Sequence, residues 1–438
     1  MEQVLRLRLH LFPHTERAAL RVAGFRAMWL GASVSLIGSQ VSILALPTLL
    51  VLSLGTGALE VSLVGAAQYC ALVLAMVRAG VVADRRDPRL VMVLSDAARA
   101  LAVLSIVIVT IFGHVSTLQV ILVALVVGAG QAFFNTVYSA VLPRLLDAQG
   151  LIAGNSLFAQ SQYFAICVGP PLAGWLIHLI GGGMAVAVDA ATFVFSGACV
   201  LRLGERALPA VVRSQPKVGT QSMESDRISA VRFVWRTTEL RLVALTAATG
   251  NLGNMMVQGI YLVFVYRTLH LSADFVGIAF GAAGIAGIFG ARLAGPAMRR
   301  LGTGPALLVS TVLAGASWLA VFTPGVPPFV AVGIAATVIS LTIPLFGVVQ
   351  AALRQKITPA ELQGRAAAGV GFISLSSVPI GFLTGGLIGE FAAPRYAILA
   401  GSLVAMSSGT WCVPLLSRLH RAGKSDAENA ALAGESVV

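Results

Sequence analysis

A chain of 438 residues that is 57% hydrophobic and 11% charged, with a mean hydropathy of +0.88, departs from the half-apolar, quarter-charged balance of water-soluble domains. Its length leaves room for about twelve spans of ~20 residues plus short loops, and little for a soluble catalytic domain. The net charge of +12 does not indicate nucleic acid, because the cations fall at the ends of apolar runs instead of forming a patch interleaved with aromatics.

Residues 1–26 form a cytoplasmic leader in this reading. Leu5, Leu7, Leu9 and Leu11 alternate with Arg6, Arg8 and His10, which suits a basic segment lying on anionic lipid and equally suits a disordered extension. No cleavable signal peptide is expected, since the apolar run over 27–53 is too long for an h-region and lacks a small-residue cleavage pattern.

Apolar runs bounded by charges or by Gly/Pro turns predict helices α1 (27–53), α2 (58–82), α3 (89–112), α4 (117–140), α5 (152–179) and α6 (184–203). A second set follows as α7 (240–266), α8 (274–297), α9 (304–323), α10 (328–353), α11 (364–389) and α12 (395–416). The expected organisation is a six-helix half over 27–203, a cytoplasmic linker over 204–239, a second half over 240–416 and a cytoplasmic tail over 417–438. The linker carries Arg206, Arg213, Lys217, Glu224 and Asp226 and ends in an amphipathic piece, Ile228 to Trp235.

With the amino terminus inside, the outer loops hold only Arg267 and Arg395, and the remaining 28 of the 30 Lys and Arg lie at or near the cytoplasmic face. Under the positive-inside rule that asymmetry places both termini in the cytoplasm and the chain in the inner membrane. Cys70, Cys167, Cys199 and Cys412 sit inside apolar runs without metal-ligand spacing, so no metal site, cofactor or disulfide framework is expected.

The halves echo each other at an offset of 210 or 211 residues: Gly80 and its basic loop with Gly290, Arg299 and Arg300, Arg144 with Arg354, and Gly174 with Gly385. This argues for a six-helix unit duplicated in parallel.

Between α2 and α3 the sequence reads Gly80-Val81-Val82-Ala83-Asp84-Arg85-Arg86-Asp87-Pro88-Arg89. Gly80 permits close helix approach, Asp84 can cap or pair, and Asp87-Pro88 is an N-cap and first-turn pair for α3. A tight basic turn is the plainer alternative. The loop resembles the G-x-x-x-D-R-x-x-R pattern of the major facilitator superfamily, met by Gly80, Asp84, Arg85 and, one position late, Arg89. The resemblance implies an all-α membrane fold of twelve helices in two pseudo-symmetric six-helix bundles, with these residues as a cytoplasmic latch. The matching loop of the second half, Gly290 to Gly302, has Ala294 in place of the acid.

In α5, Gly169-Pro170-Pro171-Leu172-Ala173-Gly174 is similar to the GPxxG element of efflux members, with Ala173 replacing a glycine; a packing kink is the alternative. Asp96, Arg99, Pro143, Arg144, Asn155, Pro359, Glu361, Leu362, Gly364 and Arg365 resemble the drug and siderophore exporters that include macrolide-efflux and enterobactin-exporter proteins. Gly277 with Gly281, and Gly381, Gly385 and Gly389, give small-residue faces where helices can meet.

The resemblance implies a central cavity lined by α1, α4, α7 and α10. Near their midpoints stand Gln40, Gln131, Asn135, Asn251, Asn254, Gln258 and Thr342, all neutral, which either bond between helices or face substrate. Without a midpoint charge on those helices, a neutral, lipophilic or weakly cationic substrate is favoured over sugars and organic phosphates. Asp96 and Arg99 read as an ion pair on α3. Asp189 has no local partner and is either a proton-exchanging carboxylate or a fixed hydrogen-bonded acid.

The resulting expectation is a monomeric secondary transporter in the lipid bilayer that exports small molecules against protons by alternating access. An importer or facilitator of the same fold is the alternative. A membrane-embedded enzyme or sensor is disfavoured by the absence of paired carboxylates, HExxH, GxSxG or a P-loop in usable context.

Overall fold

The computed structural model describes residues 14–202 and 229–418. The alternating leader segment, the linker up to residue 228 and the tail beyond 418 lie outside the described residues.

All twelve expected helices form. They run α1 Ala23–Thr48, α2 Ala58–Arg85, α3 Pro88–Phe112, α4 Thr117–Leu145, α5 Ala148–Ile180 and α6 Ala187–Leu201, the last preceded by a short turn Gly182–Ala185. The second set is α7 Thr238–Val263, α8 Ala273–Leu301, α9 Thr303–Ala316, α10 Pro328–Ile357, α11 Gln363–Phe391 and α12 Pro394–Ser407. Only helices satisfy every backbone group within one segment, which is what hydrocarbon demands. Counted with the helical turns adjoining α6, α9 and α12, eleven described spans are long and apolar enough to cross a membrane. α7 is as long but more polar, because Asn251, Asn254 and Gln258 interrupt it.

Most boundaries fall within a few residues of expectation. The differences lie mainly at the ends carrying basic side chains, where α2, α4 and α10 continue to Arg85, Leu145 and Ile357. Charge ends an apolar run but not a helix, since arginine and lysine are good helix formers that reach water. The starts are capped as their chemistry suggests. Asp87 accepts from the Arg89 amide at 2.9 Å, Ser116 from Gln119 at 3.2 Å and Asp147 from Gly150 at 2.7 Å. α1 and α7 both close on a π-helical turn, Leu49–Ser53 and Phe264–Thr268.

A short helix, His14–Arg21, leads into α1 and packs on α5. Its Glu16 is buried and accepts from Gln160 Nε2 at 2.9 Å and Ser156 Oγ at 3.3 Å. A second short helical piece, 229–236, precedes α7 where the amphipathic stretch was expected.

The chain packs as two units, Met1–Glu224 with Leu262–Gly284, and Ser225–Tyr261 with Ile285–Val438. In the first, α2 packs on α4, α1 on α5 and α6, and α3 on α4 and α6. In the second, α9 packs on α10 and α12. Glycines set the closest crossings. A Cβ at Gly128 of α4 would stand 2.0 Å from the Gln68 carbonyl oxygen of α2, and one at Gly290 of α8 would stand 2.0 Å from that of Leu341 in α10.

The duplication is geometric as well as sequential. A Cβ at Gly169 of α5 would stand 2.2 Å from Gln40 Cβ of α1, and one at Gly381 of α11 would stand 2.5 Å from the Leu252 carbonyl of α7. Both members of the second contact are displaced by 212 residues from the first. The same crossing is therefore built twice, within one residue or so of the offset read from the sequence.

These crossings predict opposite results for one substitution. Gly128→Ala should lower the thermal midpoint of the purified protein in detergent, by an overpacking cost of about 1–3 kcal/mol. Gly333→Ala, whose Cβ meets nothing within 4 Å, should leave the midpoint unchanged or raise it.

Candidate functional site

Inside the first unit, one face of α6 carries Asp189, Phe193 and Ser196 at helical spacing, turned toward α1 and α3. Asp189 is 1% exposed and accepts from the Ser39 hydroxyl of α1 at 3.2 Å. Gly38, one residue earlier, admits it: a Cβ there would lie 2.9 Å from the Asp189 Cα and 2.1 Å from the Thr192 hydroxyl.

α3 supplies Asp96 and Arg99, 1% and 5% exposed. Arg99 donates to Asp96 Oδ1, so the expected α3 ion pair is formed. The Arg99 guanidinium lies 4.3 Å from the ring centre of Phe193 in α6 and 5.1 Å from that of Phe134 in α4. Gly130 of α4 leaves space for its stem, since a Cβ there would meet Arg99 Cγ at 2.7 Å. The Ser42 and Ser196 hydroxyls face Asp189 and Asp96. Neither hydroxyl closes a hydrogen bond of normal geometry, and Asp96 Oδ2 has none. Asp189 is not isolated: Arg99 is within electrostatic reach of it.

The amides divide. Gln40 and Gln131 in the first unit, and Asn254 and Gln258 in the second, are half-buried and hydrogen-bond to no other described residue, with their polar atoms not sealed from contact. Asn135 is exposed. Asn251 is engaged, donating to Ser374 of α11 at 2.9 Å to the hydroxyl and 3.2 Å to the carbonyl. Thr342 is fully buried and its hydroxyl returns to its own helix at Val338, 2.8 Å away. Asn251 and Thr342 are thus taken up by helix packing. The period of a helix shows which residues share a face, not what that face meets.

At the loop after α2, Gly80 is buried and Arg85 exposed, while the Asp84 side chain lies outside the described residues. Arg89, the fourth latch residue of the sequence reading, donates to the Leu201 carbonyl at the end of α6. A helix C-terminus offers unpaired carbonyls, and a cation in the first turn of α3 reaches them.

The two glycine features singled out separately, in α5 and α8, meet each other within the first unit. A Cβ at Gly174 would stand 2.8 Å from the Gly277 Cα, one at Gly281 would stand 1.9 Å from Pro171 Cγ, and one at Gly284 would stand 2.4 Å from the Cys167 Cα. The Cys167 thiol donates to the Gly284 carbonyl at 2.7 Å. Two contacts beside this crossing had no sequence signal: the Thr48 and Tyr266 hydroxyls at 3.0 Å, and His178 Nδ1 to Asp274 at 3.0 Å. Their partners are 218 and 96 residues apart, beyond any local spacing rule.

No group of three or more potential metal ligands occurs among the described residues. What the arrangement offers is a dry charge cluster in one unit and unpaired amides in both. Residues 14–434 match the family described as transmembrane secretion effectors, of the major facilitator superfamily. The chain belongs to that family. It is a multi-pass membrane transporter and not an enzyme.

This transporter is 27% identical over 425 residues to the multidrug efflux pump Tap of Mycolicibacterium fortuitum, covering 94% of this chain and 99% of the relative. It is 24% identical over 405 residues to macrolide efflux protein A of Streptococcus pyogenes, covering 87% and 93%. Among solved structures, the nucleoside transporter NupG superposes with a TM-score of 0.67 at 14% identity, over 90% of this chain and 97% of that one. A bacterial homologue of the iron transporter ferroportin gives 0.67 at 17% identity, over 90% and 98%. At those identities the likeness is one of fold.

The Asn251 to Ser374 bond should register in a double-mutant cycle. Asn251→Leu and Ser374→Ala, measured singly and together by thermal unfolding, should show a coupling of about 0.6 kcal/mol and no more than about 1.7. Strict additivity would mean that the bond contributes nothing to stability.

Proposed function

We propose that this transporter exports small lipophilic or weakly cationic compounds in exchange for protons, by alternating access. The observation that carries the reading is the match, over nearly the full length of both chains, to two relatives named for efflux. Duplicated six-helix halves over 27–203 and 240–416 are the architecture that alternating access uses.

In this proposal Gln40, Gln131, Asn135, Asn254 and Gln258 are the substrate-contacting amides, with Asn251 and Thr342 supporting their helices. Unpaired neutral amides can bond a solute's polar groups without the cost of burying a fixed charge. Asp189 is the proton-exchanging group, because a carboxylate in so dry a place is held there at a cost that function can explain. Gly80, Asp84, Arg85 and Arg89 form the latch on the cytoplasmic side, with both termini inside and the chain in the inner membrane. The protein works as a monomer, and the GPPLAG segment of α5 seals against leak by its tight seat on α8.

Everted vesicles with an imposed proton gradient test this directly. A panel of macrolides and cationic dyes should include compounds that accumulate in the lumen and are released by a protonophore. Accumulation indifferent to the gradient across the panel would refute export against protons, and gradient-driven depletion of the lumen would favour an importer. Asp189→Asn should reduce accumulation to the protonophore level while preserving substrate exchange without a gradient. Unchanged gradient-driven transport in that variant would remove Asp189 from the coupling step.

A further inference from the structure

Counted as fixed charges, the cluster in the first unit holds two carboxylates and one guanidinium, all at least 95% buried: Asp96, Arg99 and Asp189. Among the described residues, the other groups facing it are neutral. α1 presents Ser39 and Ser42, α4 presents Phe134 with Tyr138 stacked behind it, and α6 presents Thr192, Phe193 and Ser196 beside Asp189. The short turn before α6, Gly182–Ala185, brings no ionisable group. Fully ionised, the cluster would carry an uncompensated negative charge on groups buried from solvent, an unfavourable state that one proton removes.

Depth along the helices puts Arg99 between the two acids. Measured from the Arg89 to Leu201 contact at a rise of 1.5 Å per residue, the backbone of Asp96 stands roughly 10 Å deep, Arg99 roughly 15 Å and Asp189 roughly 18 Å. The guanidinium is held by rings from α4 and α6, with no anion other than these two carboxylates described near it. Its position is therefore set jointly by three helices and not by α3 alone.

We infer that Asp96, Arg99 and Asp189 form one charge-balancing unit that takes up a single proton, with Arg99 as the shared counter-charge and Asp96 as a positioning residue. While Arg99 is paired with Asp96, the proton resides on Asp189 beside Ser39. When the proton leaves Asp189, its new charge draws on the same guanidinium, and the pull is felt through Phe193 on α6 and Phe134 on α4. This deepens the coupling role proposed for Asp189 and rests on that reading for its use in transport. The charge balance itself stands on burial and geometry.

The test is a proton count on the full-length protein in lipid nanodiscs, read as the infrared carbonyl stretch of protonated carboxyl groups. Wild type should show a band assignable to the cluster, and Asp189→Asn should lose it. The deciding variant is Asp96→Asn. With one acid gone, Arg99 balances Asp189 and the band should disappear, whereas the double variant Asp96→Asn with Arg99→Gln should restore it. A band that persists in Asp96→Asn would show Asp96 and Arg99 to be a private structural pair and would overturn the inference.

A measurement on the unsubstituted protein covers the case in which that variant does not fold. A hydrophobic carbodiimide, which modifies protonated buried carboxyls, should label one acid of the cluster per molecule, at Asp189. Both acids labelled on one molecule would contradict a single shared proton. The two readings fail separately: transport indifferent to the proton gradient with the band pattern as expected removes the coupling, and the reverse removes the shared counter-charge.

Discussion

Helices in hydrocarbon gain little by hiding apolar surface from one another, since lipid is as apolar as leucine, so they associate through close van der Waals contact. In this transporter that requirement falls on glycines. Gly128, Gly169, Gly253, Gly290, Gly381 and Gly385 each bring a neighbouring backbone or Cβ closer than a side chain would permit. The crossings fix helix positions to within a fraction of an ångström and thereby fix where polar groups land. Gly38 decides how near Asp189 comes to α1, and Gly130 leaves the room that Arg99 occupies.

Given such packing, the placement of charge becomes informative. The other described contacts between basic and acidic side chains are substantially exposed: His178 with Asp274, and Arg418 with Glu239. Pairs of that kind are screened and contribute little to stability. The three charged groups Asp96, Arg99 and Asp189 are a different matter, because they are buried from solvent and their desolvation must be offset within the protein. The first unit has this cluster, while the second places neutral residues at the corresponding crossing of α7 and α12, where Gly253 meets Gly401 and Ala405. The two halves therefore share the scaffold and differ in the chemistry it carries.

The twelve helices, the cap of α3 and the repeat were legible in the sequence because each depends on local composition or on a constant offset. Asp87 caps α3 as its place before Pro88 suggested, whereas the caps Ser116 and Asp147 emerge only in the structure. The Asp96 to Arg99 pair was readable as one turn of helix. What could not be read was the identity of distant partners. Asp189 had no local partner because its partner, Ser39, lies 150 residues earlier in another helix. Thr342 and Gln131 look alike as polar residues in apolar runs, yet one is sealed in packing and the other is not. The α5 and α8 glycines were each visible, but that they meet is a property of the fold.

The seat of Leu262–Gly284 in the first unit bears on how the chain is made. Ribosomal synthesis delivers α1 to α6 first, yet the packing that includes them is completed only when the start of α8 arrives, roughly 80 residues later. At about 5–20 residues per second the wait is roughly four to sixteen seconds. During that interval the α5 face around Pro171 and Gly174 lies open in the bilayer, and Thr48 and His178 lack their partners. The first six helices are thus made before the segment that completes their unit exists.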